Sequence, residues 1–150
     1  MYLAVGNLLL AACLSSLLAI AHIFAPGHDK IYFDTPSTAY ECMYVLLSTV
    51  LYWLWIDAWA YIMHRLLHFP FLYKNVHKLH HKWKQTTAFT SLALHPVEFL
   101  LLQSGVYLGL FIIPLHPCAV TVNLLYIHYH NVLDHSGVFV ESSLPWQPSR

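Results

Sequence analysis

The chain has 150 residues, 58% of them hydrophobic and only 9% charged, and seven Lys and Arg balance seven Asp and Glu. A soluble domain carries about 25% charge, so the composition excludes a nucleic-acid binder, a disordered segment and an ordinary cytosolic globule, each of which needs charge for its partner or its solubility. A membrane protein remains, and it carries twelve histidines that require a chemical reason.

Residues 2–25 hold no charge and give about 36 Å of helix, enough to cross a hydrocarbon core of roughly 30 Å. Without a basic leader ahead of it, this segment reads as a signal-anchor helix rather than a cleaved signal peptide. Pro26 and Gly27 should stop it, and a polar connector follows from His28 to Thr38. The second apolar segment runs from Glu41 to about Met63, rich in Tyr and Trp and with Asp57 as its only internal charge. From His64 to Thr90 five of the seven basic residues appear (Arg65, Lys74, Lys78, Lys82 and Lys84) and no acidic one, which the positive-inside rule assigns to the cytoplasm.

Phe99 to Leu133 is free of formal charge, but Pro114, His116 and Pro117 divide it into two pieces of about 15 residues, each short for a crossing that takes about 20. A helical hairpin is expected, either spanning twice or dipping in and returning. Both options bring His128, His130 and His135 back to the face that carries residues 64–81, and leave His22, His28 and His116 at the opposite ends. The whole reads as an all-α integral membrane protein of about four membrane helices, two spans plus the hairpin, with a cytoplasmic histidine-rich helical region. Cys13, Cys42 and Cys118 lie in apolar runs without a CxxC pair and are expected as buried, reduced thiols.

The histidines follow helical spacing. On one stripe Asp57, Tyr61, His64 and His68 succeed each other by four or three residues, so two imidazoles share a helix face with an acid behind them. His77, His80 and His81 form an i, i+3, i+4 set that also converges. Five histidines within 18 residues are poorly explained as isolated packing residues, whereas imidazoles presented together are what a metal ion needs. His95-Pro96-Val97-Glu98 fits equally well a helix start, with His95 at the cap and Glu98 in the first turn. In the segment from His128 to Gly137, the spacing leaves open which of His128, His130 and His135 point inward; His135, beside Asp134 and Gly137, is preferred, and Asn131 lies one turn before it. Thiols and carboxylates are too few for a Cys/His zinc site or a calcium cage, and imidazole donors suit Zn, Cu, Fe or Ni. More than four converging histidines point to two ions, and their place beside a bilayer points to oxygen chemistry on a lipid.

HRLLH, HKLHH, HPVE and DHSG, in that order between apolar segments, resemble the fatty acid hydroxylase and sterol desaturase superfamily, most closely its sterol-modifying branch. The resemblance covers about Trp53 to Gly137 and divides the chain into an N-terminal anchor with its connector (1–40) and a hydroxylase-like domain (41–150). It implies an endoplasmic reticulum multi-pass membrane enzyme with a cytoplasmic centre of two iron ions, dioxygen as oxidant, and electrons from a cytochrome b5 and NAD(P)H chain. The family's metal-binding boxes fall on His64, His68, His77, His80, His81 and His135, with His95, His128, His130, Asp57 and Asn131 as additional or supporting residues. Family members carry a further HxxHH box that this sequence lacks, so a truncated member is expected ahead of a catalytically incomplete regulatory paralogue. A metal carrier or a membrane haem protein is the remaining alternative, but either would place its histidines mid-span.

Overall fold

The computed structural model describes residues 2–25, 27, 29–84 and 86–137; His28, Pro26 and the segment after Gly137 lie outside the described residues. Among the described residues the chain is helical and has no strand beyond one isolated bridge. Helix α1 (Tyr2–Phe24) and helix α2 (Ala39–Leu67) are long and apolar enough to cross a membrane, with mean hydropathy of 2.2 and 1.4. A short α3 (Pro70–Asn75), a 3-10 helix η1 (His77–Lys82) and a second one, η2 (Ala88–Leu92), form the histidine-rich region. Helices α4 (Pro96–Ile112) and α5 (Pro117–His135) are the expected hairpin, turned at residues 113–116.

Local chemistry sets these limits. Thr38 caps α2 through a capping box with Glu41, whose carboxylate returns to the cap backbone. Pro96 and Pro117 each occupy the first turn of their helix, where a missing N–H costs nothing, and His95 and His116 supply side-chain caps to Val97 N and Cys118 N. Helix α2 runs four residues beyond the expected Met63. Its 29 residues span about 44 Å, longer than a hydrocarbon core of roughly 30 Å, with His64 in its last turn and His68 at its C-cap.

The seam between α2 and α4 is built from aromatic residues against glycines. Gly105 and Gly109 are one turn apart on α4, a small-xxx-small pattern that lets helix backbones approach. The Trp59 indole fills the space where a Gly105 Cβ would sit, and Tyr52 and Trp55 cover Gly109. Polar tips then reach across: Tyr52 OH donates to Val106 O at 2.9 Å, Trp55 Nε1 to Gly105 O at 2.8 Å and Trp59 Nε1 to Leu101 O at 2.9 Å. Tyr52 and Ile56 join Val106, Leu110, Leu115 and Ala119 in the core.

Two buried asparagines tie the other helices. Asn123 on α5 donates to Thr49 O on α2, and Asn7 on α1 donates to Leu92 O and Leu94 O at 2.8 and 3.1 Å, which draws the N-terminal helix against the end of η2. At the other end, Ile31 bridges to Leu115, and His22 donates to both carboxylate oxygens of the largely buried Asp29. His22 and His116 therefore sit at the connector and the hairpin turn. The three cysteines are free but exposed on helix surfaces, not buried as expected. Many other apolar side chains of α1 and α2, among them Leu9, Leu17, Leu46 and Leu51, are likewise exposed, an outer surface that suits a lipid solvent.

Candidate metal centre

The last turn of α2 presents His64 and His68 one turn apart, with their Nε2 atoms 3.1 Å from each other. The chain then turns through α3, and η1 returns His77 to the same place. His77 Nε2 lies 3.2 Å from His68 Nε2, and His81 Nε2 lies 3.0 Å from His77 Nε2. In a 3-10 helix residues three apart eclipse, which is why His77 and His80 stack, with ring planes 22° apart, while His81 swings to the neighbouring side. Tyr73 stacks on the outer face of His68.

Donor chemistry and spacing both fit a shared cation. His77 Nδ1 and Glu98 Oε1 lie 2.6 Å apart; with Glu98 ionised the ring donates there, and the neutral ring offers only a lone pair at Nε2. One lone pair cannot satisfy two neighbouring nitrogens at 3.0 and 3.2 Å. A metal–imidazole bond of about 2.0–2.1 Å places adjacent ligand nitrogens about 3.0 Å apart at right angles and about 3.4 Å apart in a tetrahedron. His64, His68 and His77 each offer a nitrogen within 4.8 Å of the others, the grouping an ion requires.

His80 and His135 adjoin this cluster, with ring centroids 5.6 Å apart. His135 Nδ1 donates to Asn131 O at 2.8 Å, which directs its Nε2 outward from its own helix backbone. His80 Nδ1 is buried without a hydrogen-bond partner. Burial first, then the crowd of imidazoles, holds both His77 and His80 well below the usual histidine range, at about 4. Both rings are therefore neutral at pH 7, the form that binds a metal.

Two cavities meet beside the cluster. One, of about 400 Å³, is lined by His64, His80, His135, Glu98 and Tyr61. The other, of about 460 Å³, lies deeper between the helices, against Leu8, Trp53, Phe99, Val106 and Tyr126. Asp57, Ala60, Leu94, Leu102 and Asn131 belong to both linings and form the partition between them. The deeper volume lies within the range of pockets that hold small organic ligands.

The structure thus brings together His64, His68, His77 and His81, with His80 and His135 adjacent. His95 caps α4. His128 donates to Leu124 O, and His130 packs on Tyr126 at 4.3 Å; both line the deeper cavity. Asp57 lies on the partition, and the carboxylate that bonds an imidazole of the cluster is Glu98, which the helix-start reading of HPVE passes over. One signal marks it in the sequence: Glu98 is the only acidic residue between Asp57 and Asp134.

The fatty acid hydroxylase family profile matches residues 49–150, the stretch that contains every one of these histidines. The chain belongs to the fatty acid hydroxylase family. It is similar to the Delta(7)-sterol 5(6)-desaturase of Candida glabrata, 31% identical over 111 residues that make up 74% of this chain and 30% of the relative. It is also similar to the lathosterol oxidase of Rattus norvegicus, 31% identical over 113 residues, 75% of this chain and 38% of the relative. The chain spans about a third of the length of the curated relatives it matches. No solved structure matches it.

Proposed function

We propose that the chain is part of a membrane-bound oxidoreductase that uses dioxygen to hydroxylate or desaturate a lipid, with a sterol as the substrate class that its relatives' names suggest. The observation that carries this reading is the run of imidazole nitrogens, 3.0–3.2 Å from one to the next, beside a largely apolar cavity in a bundle with membrane-length helices. Two iron ions would be held, the first by His64, His68, His77 and His81 and the second drawing on His80 and His135. The chemistry such irons supply is the reductive activation of dioxygen that attack on an unactivated C–H bond demands.

The protein's own contribution is position and an apolar wall. The Nδ1–H donations of His77 and His135 fix their ring orientations, so each Nε2 is available as a ligand. Leu8, Phe99, Leu102 and Val106 give the deeper cavity a face that suits a hydrocarbon body, while Asp57 and Asn131 put polar groups at the partition nearest the cluster. The exposed Lys74, Lys78, Lys82 and Lys84 give the histidine region a positive face suited to an acidic electron donor of the cytochrome b5 type or to lipid headgroups. With that face in the cytoplasm, the chain sits as a multi-pass protein of the endoplasmic reticulum membrane.

Histidines at the helix ends distinguish this reading from a haem protein or a metal carrier. The test is turnover of a Δ7-sterol by iron-loaded chain in membranes with O2, NADH and a cytochrome b5 reducing system. Product that depends on iron and O2, and is lost in His68→Ala, supports the assignment; haem absorbance in the purified protein, or product unchanged in His68→Ala, overturns it.

A further inference from the structure

We propose that Glu98 is the positioning residue of the metal centre, fixing His77 as an Nε2 ligand and setting the affinity of the histidine cluster for a divalent cation. The proposal rests on the reading of that cluster as a metal site. The two residues come from separate elements, His77 at the start of η1 and Glu98 in the first turn of α4, and meet at 2.6 Å. Their side chains are 0% and 1% exposed.

Glu98 stands at the third position of its helix, where a glutamate ordinarily folds back onto the cap backbone. Here it does not. Its Oε1 accepts from His77, and its Oε2 is buried with no hydrogen-bond partner. Pro96 and the His95 side chain already fix the helix start, so Glu98 is released from capping. A buried carboxylate with a single hydrogen bond is under-compensated. The helix N-terminus offers part of the missing positive charge. A cation on Nε2 of the same imidazole offers the rest, since charge placed there strengthens the Nδ1–H donation on the far side of the ring.

The arrangement also selects the tautomer. With Glu98 ionised and holding Nδ1–H, the proton cannot reside on Nε2 of a neutral ring, and the nitrogen that faces His68 and His81 keeps its lone pair. Glu98 bonds Nδ1 of His77 and none of the converging Nε2 atoms, so its action on the cation passes through His77.

A structural ion pair and a positioning pair differ in what Glu98→Gln does. Gln keeps the shape and an accepting oxygen but removes the charge. If Glu98 positions His77 for a cation, the metal-free chain keeps or gains thermal stability, because an under-compensated buried group has gone, while cation affinity falls by about 10- to 100-fold. If the contact only holds η1 to α4, stability drops and affinity stays.

The experiment titrates Co2+ into the purified, metal-free full chain in detergent, following its visible absorption bands, with the thermal midpoint of the metal-free protein measured in parallel. Weakened Co2+ binding in Glu98→Gln, with altered bands and an undiminished midpoint, supports the proposal. Equal binding by wild type and Glu98→Gln overturns it and leaves the metal reading standing. No binding by wild type overturns both. Should Glu98→Gln fail to fold, Glu98→Asp keeps the charge and shortens the reach by one methylene; weaker binding again supports the proposal, and wild-type binding overturns it.

Discussion

The seam between α2 and α4 positions the site, and Gly105→Ala tests it. A Cβ there would occupy the space of the Trp59 indole, against the ring atoms Cδ1 and Cγ and 2.8 Å from Nε1. Ring atoms of a packed indole cannot yield as the tip of a lysine can. Overpacking of this kind costs about 1–3 kcal/mol, and displacing the indole also endangers its hydrogen bond to Leu101 O, worth about 0.6 kcal/mol in a membrane setting. Exchanging Gly for Ala in a helix returns up to about 1 kcal/mol. The net expectation is a loss of about 2 kcal/mol, roughly a 30-fold shift in the folded ratio. Glu98 lies seven residues earlier on the same helix, about 10 Å along its axis, so the strain should also loosen the contact with His77. Reversible unfolding of the chain in mixed micelles, followed by tryptophan fluorescence, measures the loss. Gly6→Ala is the control: nothing lies within 4 Å of a Cβ there, and the substitution should be neutral or stabilising. If Gly105→Ala matches Gly6→Ala, the close approach of α4 to Trp59 is not a determinant of the fold.

Acid should weaken the metal-free fold over a defined window. His77 and His80 are held at about 4 in the folded chain, below the ordinary value of about 6.5, so between those values the unfolded chain binds more protons. The stability they contribute is therefore complete above about pH 6.5 and is lost as pH falls toward 4. Glu98, which burial pushes up to about 7 from 4.5, takes up its proton in the folded chain first and offsets part of that loss. In Glu98→Gln, where the offset is gone, a thermal midpoint that stays flat from pH 7 to pH 4 would contradict the burial of these rings. Ala60→Phe narrows the partition between the two cavities one turn before His64 and should cut sterol turnover by more than about tenfold, with Co2+ binding measured in parallel to show that the histidines still bind. Normal turnover in that variant would remove the deeper cavity from the substrate path.

The histidine cluster was legible because its chemistry is locally encoded. An i, i+4 pair on an α-helix must share a face, and His77, His80 and His81 are close enough in sequence to converge in either helical form, although the observed 3-10 geometry stacks His77 on His80 where α-helical spacing gives a staggered pair. The hairpin was legible through Pro114 and Pro117, which cannot continue a helix. Glu98 was not legible as the partner of His77, since 21 residues separate them and their meeting depends on the packing of η1 against the start of α4. The aromatic ladder of Tyr52, Trp55 and Trp59 is tertiary in the same way: composition announced the rings, but their acceptors on α4 emerge only when Gly105 and Gly109 admit them. The cysteines were misread because in a protein whose solvent is lipid an apolar neighbourhood in sequence does not mean the interior.

The account stands most directly on whether the converging imidazoles bind iron. Iron content of the purified chain after anaerobic loading with Fe2+ and removal of excess should be stoichiometric in the wild type and lost in both His68→Ala and His77→Ala, with each variant still inserted in membranes. A wild-type chain that retains no iron, or alanine variants that retain as much as it does, would contradict the metal centre.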